Sequence, residues 1–257
     1  MFERDFTLKK YRKLCLAVKE AGYLPLRVRD YLSDSGVNCI ILRHDVDRSP
    51  QSAFAMAELE SELGICSTYY FRTTEGVFLH EVIKEIERLG HEIGYHYEVL
   101  DKAKGDREKA LELFRNELEN LRKFADVKTI AMHGNPLTSW TAEELWETHD
   151  FRDFGILGDS SLSIDYTKVL YLGDVGRTWD GRYSVKDLLV KGNSKGFKTT
   201  DDVISAIENH EITNACLVVH PNRWNDNIGR WVLEYVGQHV KNIGKTAIIH
   251  YRKLTKG

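Results

Sequence analysis

The chain has 257 residues, 42% of them hydrophobic, with 36 basic and 39 acidic side chains and a formal net charge of −3. That is enough apolar material for one large core, and a barrel of this length forms a single domain, here residues 1–257. The near-balanced charge, with no basic run interleaved with aromatics, argues against nucleic acid as a partner, and no run approaches the roughly 20 apolar residues of a membrane span.

Taken in order, the chain alternates two periodicities. Leu8, Tyr11, Cys15 and Val18 make a helical stripe, with Thr7 as its N-cap and Gly22 as its stop. Ile40-Ile41-Leu42-Arg43-His44-Asp45-Val46-Asp47 is a short apolar run that ends on two carboxylates, and it reads as a buried strand carrying acids at its C-terminal end. Met56, Leu59 and Leu63 make a second helical stripe, and Thr68-Tyr69-Tyr70-Phe71 a strand before Arg72. Leu79, Ile83, Ile86 and Leu89 make a third stripe that stops at Gly90. The segment from His91 to Glu98 then sets His96 near a strand end, and a charged helix runs from about Asp106 to Ala125. Thr129-Ile130-Ala131-Met132 ends on His133, and Cys216-Leu217-Val218-Val219 ends on His220. Residues 159–193 read as long rim loops. Helices that alternate with strands predict βα units and a mostly parallel sheet.

The polar strand ends are the chemical signal. In open or barrel-like α/β folds that rim is where ligands gather. Carboxylate and imidazole together suit zinc and its transition-series neighbours, which accept mixed oxygen and nitrogen donors.

These residues carry a family resemblance. Asp45-x-Asp47, then Ser67-Thr68-Tyr69-Tyr70-Phe71, then Gly90-His91-Glu92-Ile93-Gly94-x-His96, and finally Leu217-x-x-His220 resemble, in order and spacing, the polysaccharide deacetylases, also called carbohydrate esterase family 4. The resemblance covers about residues 38–222, and its most specific segment is the Gly-His-Glu-Ile-Gly-x-His run. It implies a distorted (β/α) barrel of about seven strands and a bound divalent metal, zinc first, with cobalt or manganese as alternatives. The implied reaction is removal of an N-acetyl or other acyl group from a sugar. Carried over by position, Asp47 and His96 would bind the metal, which polarises the acyl carbonyl and lowers the pKa of its water to about 7. Asp45 would be the general base and His220 the general acid, with Asp174 tuning His220. Backbone N–H groups after Gly134 would help hold the oxyanion. Tyr171 to Gly181 is similar to the family's Asp and Trp motif, with Trp179 as part of a sugar pocket beside Arg177 and Asn135.

Two departures stand out. Leu100 occupies the position of the family's second metal-binding histidine, so the third ligand falls to His133 or to Glu98. Where the family has an Arg-x-Pro motif this chain reads Met132-His133-Gly134-Asn135-Pro136, and Arg43 or Arg177 would have to orient the base. The first residues, Met1-Phe2-Glu3-Arg4-Asp5-Phe6-Thr7, lack the apolar stretch of a signal peptide. Cys15, Cys39, Cys66 and Cys216 are scattered without metal spacing and read as reduced core thiols. The expectation is a cytoplasmic enzyme acting on an acylated sugar, a lipid-linked or nucleotide-linked precursor, or an oligosaccharide. Three alternatives stay open: a metal-dependent C–N hydrolase with a non-sugar substrate, a non-catalytic sugar-binding homologue, and a phosphatase resembling the haloacid dehalogenases. The last needs a later lysine and acid pair, for which Asp201-Asp202 is a poor candidate.

Overall fold

A computed structural model of the chain describes residues 3–135, 138, 140–184 and 196–255. Its strands are β1 (Leu24–Leu26), β2 (Cys39–Val46), β3 (Thr68–Phe71), β4 (Glu92–Tyr97), β5 (Thr129–Met132), β6 (Gly158–Asp159), β7 (Leu170–Gly173) and β8 (Ala215–Val219). All pair in parallel. Seven follow the order β6-β5-β4-β3-β2-β8-β7, and β1 lies beside the first half of β2 on the edge whose second half pairs with β3. The sheet curls into a half-barrel, as the expected distorted (β/α) barrel requires. The α-helices are α1 (Leu8–Glu20), α2 (Val28–Ser33), α3 (Pro50–Glu62), α4 (His80–Arg88), α5 (Val99–Lys102), α6 (Arg107–Leu121), α7 (Thr200–Glu208) and α8 (Ile228–Thr255). Among the described residues no helix is long and apolar enough to cross a membrane.

Local chemistry accounts for several boundaries. The Thr7 hydroxyl accepts from the Lys10 N–H at 3.0 Å and starts α1 as expected. Every residue of β2 is buried, because a strand at the centre of a curled parallel sheet is covered on both faces. Its side chains alternate: Ile40 and Leu42 pack outward with α1, α3 and α7, whereas Ile41 joins the barrel interior with Tyr70, Ala131, Cys216 and Val218. Tyr70 can cross the interior because Gly94 faces it: a Cβ there would stand 2.2 Å from the ring. The Tyr70 hydroxyl then reaches Thr129 Oγ1 at 2.8 Å on the far side of β4.

Two expectations need correction. Leu170–Gly173, placed among rim loops, is strand β7, paired along its length with β8; residues 185–193 of that stretch lie outside the described residues. Cys66 is exposed, so only Cys15, Cys39 and Cys216 are core thiols. The 28-residue helix α8 left no core stripe to read, because Ile228, Leu233, Val236, Val240 and Ile243 face outward.

The outward face of β2 also carries a buried polar network. Glu60 on α3 is 0% exposed, and its Oε1 accepts from Tyr11 and, at 2.8 Å, from His44 Nε2. Its Oε2 accepts from Ser67 Oγ at 2.5 Å and from Tyr69 at 2.7 Å. Burial opposes the charge, but His44, His91 and Ser67 outweigh it and hold the carboxyl at about 2. A depressed carboxyl stabilises the fold fully above its unfolded value near 4.5 and loses that contribution as pH falls towards 2. Glu60→Ala should therefore cost about 3 to 5 kcal/mol at neutral pH, by leaving several buried donors unpaired. Glu60→Gln should flatten the loss of stability between pH 5 and 3. Urea denaturation at several pH values checks both, and an unchanged acid limb in Glu60→Gln would show that this carboxylate does not govern it.

Candidate functional site

Parallel pairing puts the C-terminal ends of all these strands on one rim, and five of them supply the polar residues of one cleft. β2 contributes Arg43 and Asp45 with Asp47 just beyond; β4 contributes His96; His133, Asp174 and His220 directly follow β5, β7 and β8. Arg43, Asp45, Asp47, His96, His133 and His220 line a single cavity of about 190 Å³.

Asp45 is 5% exposed and locked in a two-pronged ion pair, with Arg43 Nε and Nη2 donating at 2.8 and 2.9 Å. The guanidinium is held in turn over the Tyr70 ring, 5.3 Å from its centroid. Burial would raise the Asp45 carboxyl, but Arg43, His96 and His220 outweigh it, so it is ionised.

Asp47 is the hub. Its Oδ1 lies 3.4 Å from His96 Nε2 and 3.6 Å from His133 Nε2, and its Oδ2 lies 3.8 Å from His220 Nε2. Burial opposes its charge too, and His96, His220 and His133 hold it well below the usual carboxylate range. Oδ1 is buried and accepts no hydrogen bond among the described residues. His96 Nδ1 is 3.0 Å from the Ala131 carbonyl, which can only accept, so Nδ1 carries a proton and, in the neutral ring, Nε2 turns a lone pair towards the cleft. Burial, then His96, lower His133 to about 4, which leaves that ring neutral and free to offer a lone pair.

This donor set fits a small divalent cation. Two donors about 2.0–2.1 Å from a tetrahedral zinc ion stand about 3.3–3.4 Å apart, close to the 3.4 and 3.6 Å found here. Although burial disfavours a charged His96, Asp45 and Asp47 raise its pKa, so the site favours positive charge at that point. Among the described residues no three His, Cys, Asp or Glu groups already close on one point as a finished cage. The lining groups nearest to such an arrangement are Asp47, His96 and His133.

Glu98, the alternative third ligand, is engaged through one oxygen, while its Oε1 is buried and accepts no hydrogen bond among the described residues. Its Oε2 accepts from Arg72 at 2.5 Å and sits 3.5 Å from His133 Nδ1, on the side of the ring away from Asp47. Leu100 is 3% exposed and packs in the core with Phe114 and Leu118, because the chain leaves β4 at Tyr97 and turns into α5.

Opposite Asp45, Asp174 holds His220. Asp174 Oδ1 is 2.7 Å from His220 Nδ1, and Oδ2 accepts from the His220 backbone N–H at 3.0 Å and from Trp224 Nε1 at 2.9 Å. Arg223 donates to the same carboxylate and to the Asp174 carbonyl at 2.8 Å. Burial raises the Asp174 carboxyl, but Arg223 and His220 hold it far below the usual range. The Asp174 carboxylate on Nδ1 orients the ring so that Nε2 faces Asp47 and the cleft.

The substrate-side expectations fare differently. Trp179 is 1% exposed, packs against Trp224 and donates to Thr200 Oγ1 at 3.1 Å, so its face is not available to a sugar. Arg177 donates to the carbonyls of Arg223 and Asp5 and lies over Trp231 and Tyr235, whereas Arg43 is the arginine paired with Asp45. Asn135 borders a smaller neighbouring cavity, with Trp140 and Glu143. Asp201 pairs with Lys10 at 2.6 Å and Asp202 caps α7, so neither supplies the acid that a phosphatase would need. Sequence reading missed Arg223 and Trp224, for which the only signal is that they follow His220 within one turn, and Arg72, which stands at a recognised strand end.

Searches against protein-family models and against curated proteins return no match to this chain.

Asp174→Asn should remove the charge that Arg223 and His220 share. The expected cost is about 3 to 5 kcal/mol, since it leaves a buried guanidinium uncompensated. The His220 proton should also leave Nδ1, as two-bond nitrogen-proton NMR would detect; an unchanged tautomer would remove Asp174 from its orienting role.

Proposed function

We propose that this chain is a metal-dependent hydrolase that removes an acyl group, N-acetyl in the first instance, from the nitrogen of an amino sugar or glycan precursor. The observation that carries the reading is the convergence on one cleft of an uncommitted buried carboxylate oxygen on Asp47, two imidazole lone pairs, an arginine-fixed carboxylate and an aspartate-backed histidine. The family resemblance of the Asp-x-Asp and Gly-His-Glu-Ile-Gly-x-His segments points the same way.

A divalent cation on Asp47, His96 and His133 would supply Lewis acidity, polarising the acyl carbonyl and acidifying a water. The remaining work belongs to the protein. Asp45, held in orientation by Arg43, takes a proton from the attacking water. His220, oriented through Nδ1 by Asp174, delivers a proton from Nε2 to the departing amine nitrogen. The C–N bond breaks, the water oxygen stays with the acyl group as a carboxylate, and the amine leaves. Burial of Asp45 and His220, at 5% and 8% exposure, keeps both transfers out of bulk solvent.

One observation favours a second reading, hydrolysis of an amide on a non-sugar substrate: the tryptophan expected to stack on a sugar ring is inside the core. The two readings separate on substrate panels, since acetate release from acetylated amino sugars supports the first and turnover confined to other amides the second.

The expected results are one equivalent of zinc, cobalt or manganese bound by calorimetry, and acetate released from an N-acetylated sugar. Asp47→Ala should abolish metal uptake, and His220→Ala should retain the metal while lowering kcat by about 10² to 10⁴. Metal uptake untouched in Asp47→Ala would falsify the reading. Metal bound by the wild type with no turnover on any acylated substrate would leave a binding protein, not an enzyme.

A further inference from the structure

The cleft has a wall that the proposed reaction does not use. Helix α8 packs onto the loop after Asp174: Asn242 Nδ2 donates to the Gly176 carbonyl at 2.9 Å, Gln238 donates to Asn242 at 2.8 Å, and Trp231 Nε1 donates to the Asp5 carbonyl at 2.7 Å. Gln238 and Asn242 are 3% and 6% exposed, so this anchoring face is rigidly held. Lys245, nearly one turn beyond Asn242, lines the same cavity as Asp47 and His220.

Without a guest the charges around that cavity pair off, and Lys245 is left facing Asp47. Arg43 is committed to Asp45 and Arg223 to Asp174. Lys245 forms no ion pair among the described residues. Asp47 is the remaining acid of the lining, and a divalent cation bound there would more than neutralise it. The loaded cleft then holds surplus positive charge, with Lys245 as its uncommitted cation. Resting on the hydrolase reading above, we infer that the substrate carries an anionic group, phosphate or carboxylate, near its acylated nitrogen, and that Lys245 is the residue that selects for it. An ammonium on a flexible stem suits this role as a compact point charge. Burial, then Arg223 and Lys241, lower the ammonium to about 8, which still leaves it mostly charged at neutral pH. Tyr183 and Ser184, on the loop that α8 covers, line the same wall and offer hydroxyl donors to the anion.

Four probes compared on the metal-loaded full chain test this: an N-acetylhexosamine, its 1-phosphate, an N-acetylhexosaminuronate and a neutral N-acetylated oligosaccharide. Calorimetry reads binding and acetate release reads turnover, each for wild type, Lys245→Ala and Lys245→Arg. One or both anionic probes should bind at least about tenfold more tightly than the neutral sugar, and which of them does so distinguishes phosphate from carboxylate. Lys245→Ala should erase that preference through KM with kcat on the neutral sugar unchanged, and Lys245→Arg should restore part of it. Anion-selective binding that depends on Lys245 without acetate release would support this inference and sink the hydrolase reading. Turnover with no preference for an anion, or an equal loss on all four probes in Lys245→Ala, would overturn the inference and leave the hydrolase reading standing.

Discussion

Parallel pairing of β2 with both of its long-strand neighbours is the constraint on which the remainder depends. His44 is registered against Tyr69 of β3 on one side and Val219 of β8 on the other, so Asp45 and Asp47 reach the rim at the same level as Arg72 and His220. In β4 and β5, His96 is registered against Ala131, which sets His133 two residues further along, level with Glu98. Residues more than 170 positions apart in the chain become neighbours because the backbone hydrogen bonds leave no other register. The polar cluster is thus a by-product of strand alignment, with side-chain contacts only adjusting it.

The same strand divides scaffold from site by parity. Arg43 and Asp45 point into the barrel and its cleft, whereas His44 between them points outward to Glu60 on α3. A slip of one residue would exchange the two sets, taking the arginine–aspartate pair into the helical layer and His44 into the cleft. Both faces therefore enforce one register. On the outside the Glu60 carboxylate is satisfied only if His44, Ser67 and Tyr69 all arrive, and these come from two adjacent strands and the turn before the second.

Much of this was legible in the chain. The strands that end in Asp45, His96, His133 and His220 are short apolar runs stopped by polar groups, and that pattern survives folding because a buried parallel strand needs both faces apolar up to the point where it meets solvent. What could not be read was set by tertiary context. Trp179 and Arg177 sit in a glycine-punctuated segment that looks like an exposed loop, but the N-terminal residues Asp5 and Phe6 and the helix α8 close over them. β7 was lost for a related reason: it has four residues and begins in a stretch without alternation. Lys245 carries no local signal at all, since its place depends on how a 28-residue helix docks. Of Glu98 and His133, the sequence favours the strand-end imidazole slightly, and Arg72, from the neighbouring strand end, donates to one oxygen of the Glu98 carboxylate.

The glycine at position 94 has a consequence for traffic. By admitting the Tyr70 ring across the barrel it lets that ring, Ile41, Ala131 and Val218 plug the space beneath Arg43. Among the described residues the cleft therefore has a floor of packed side chains. Any guest would meet that floor, and its approach and departure would share the mouth that Asp47 and His220 line.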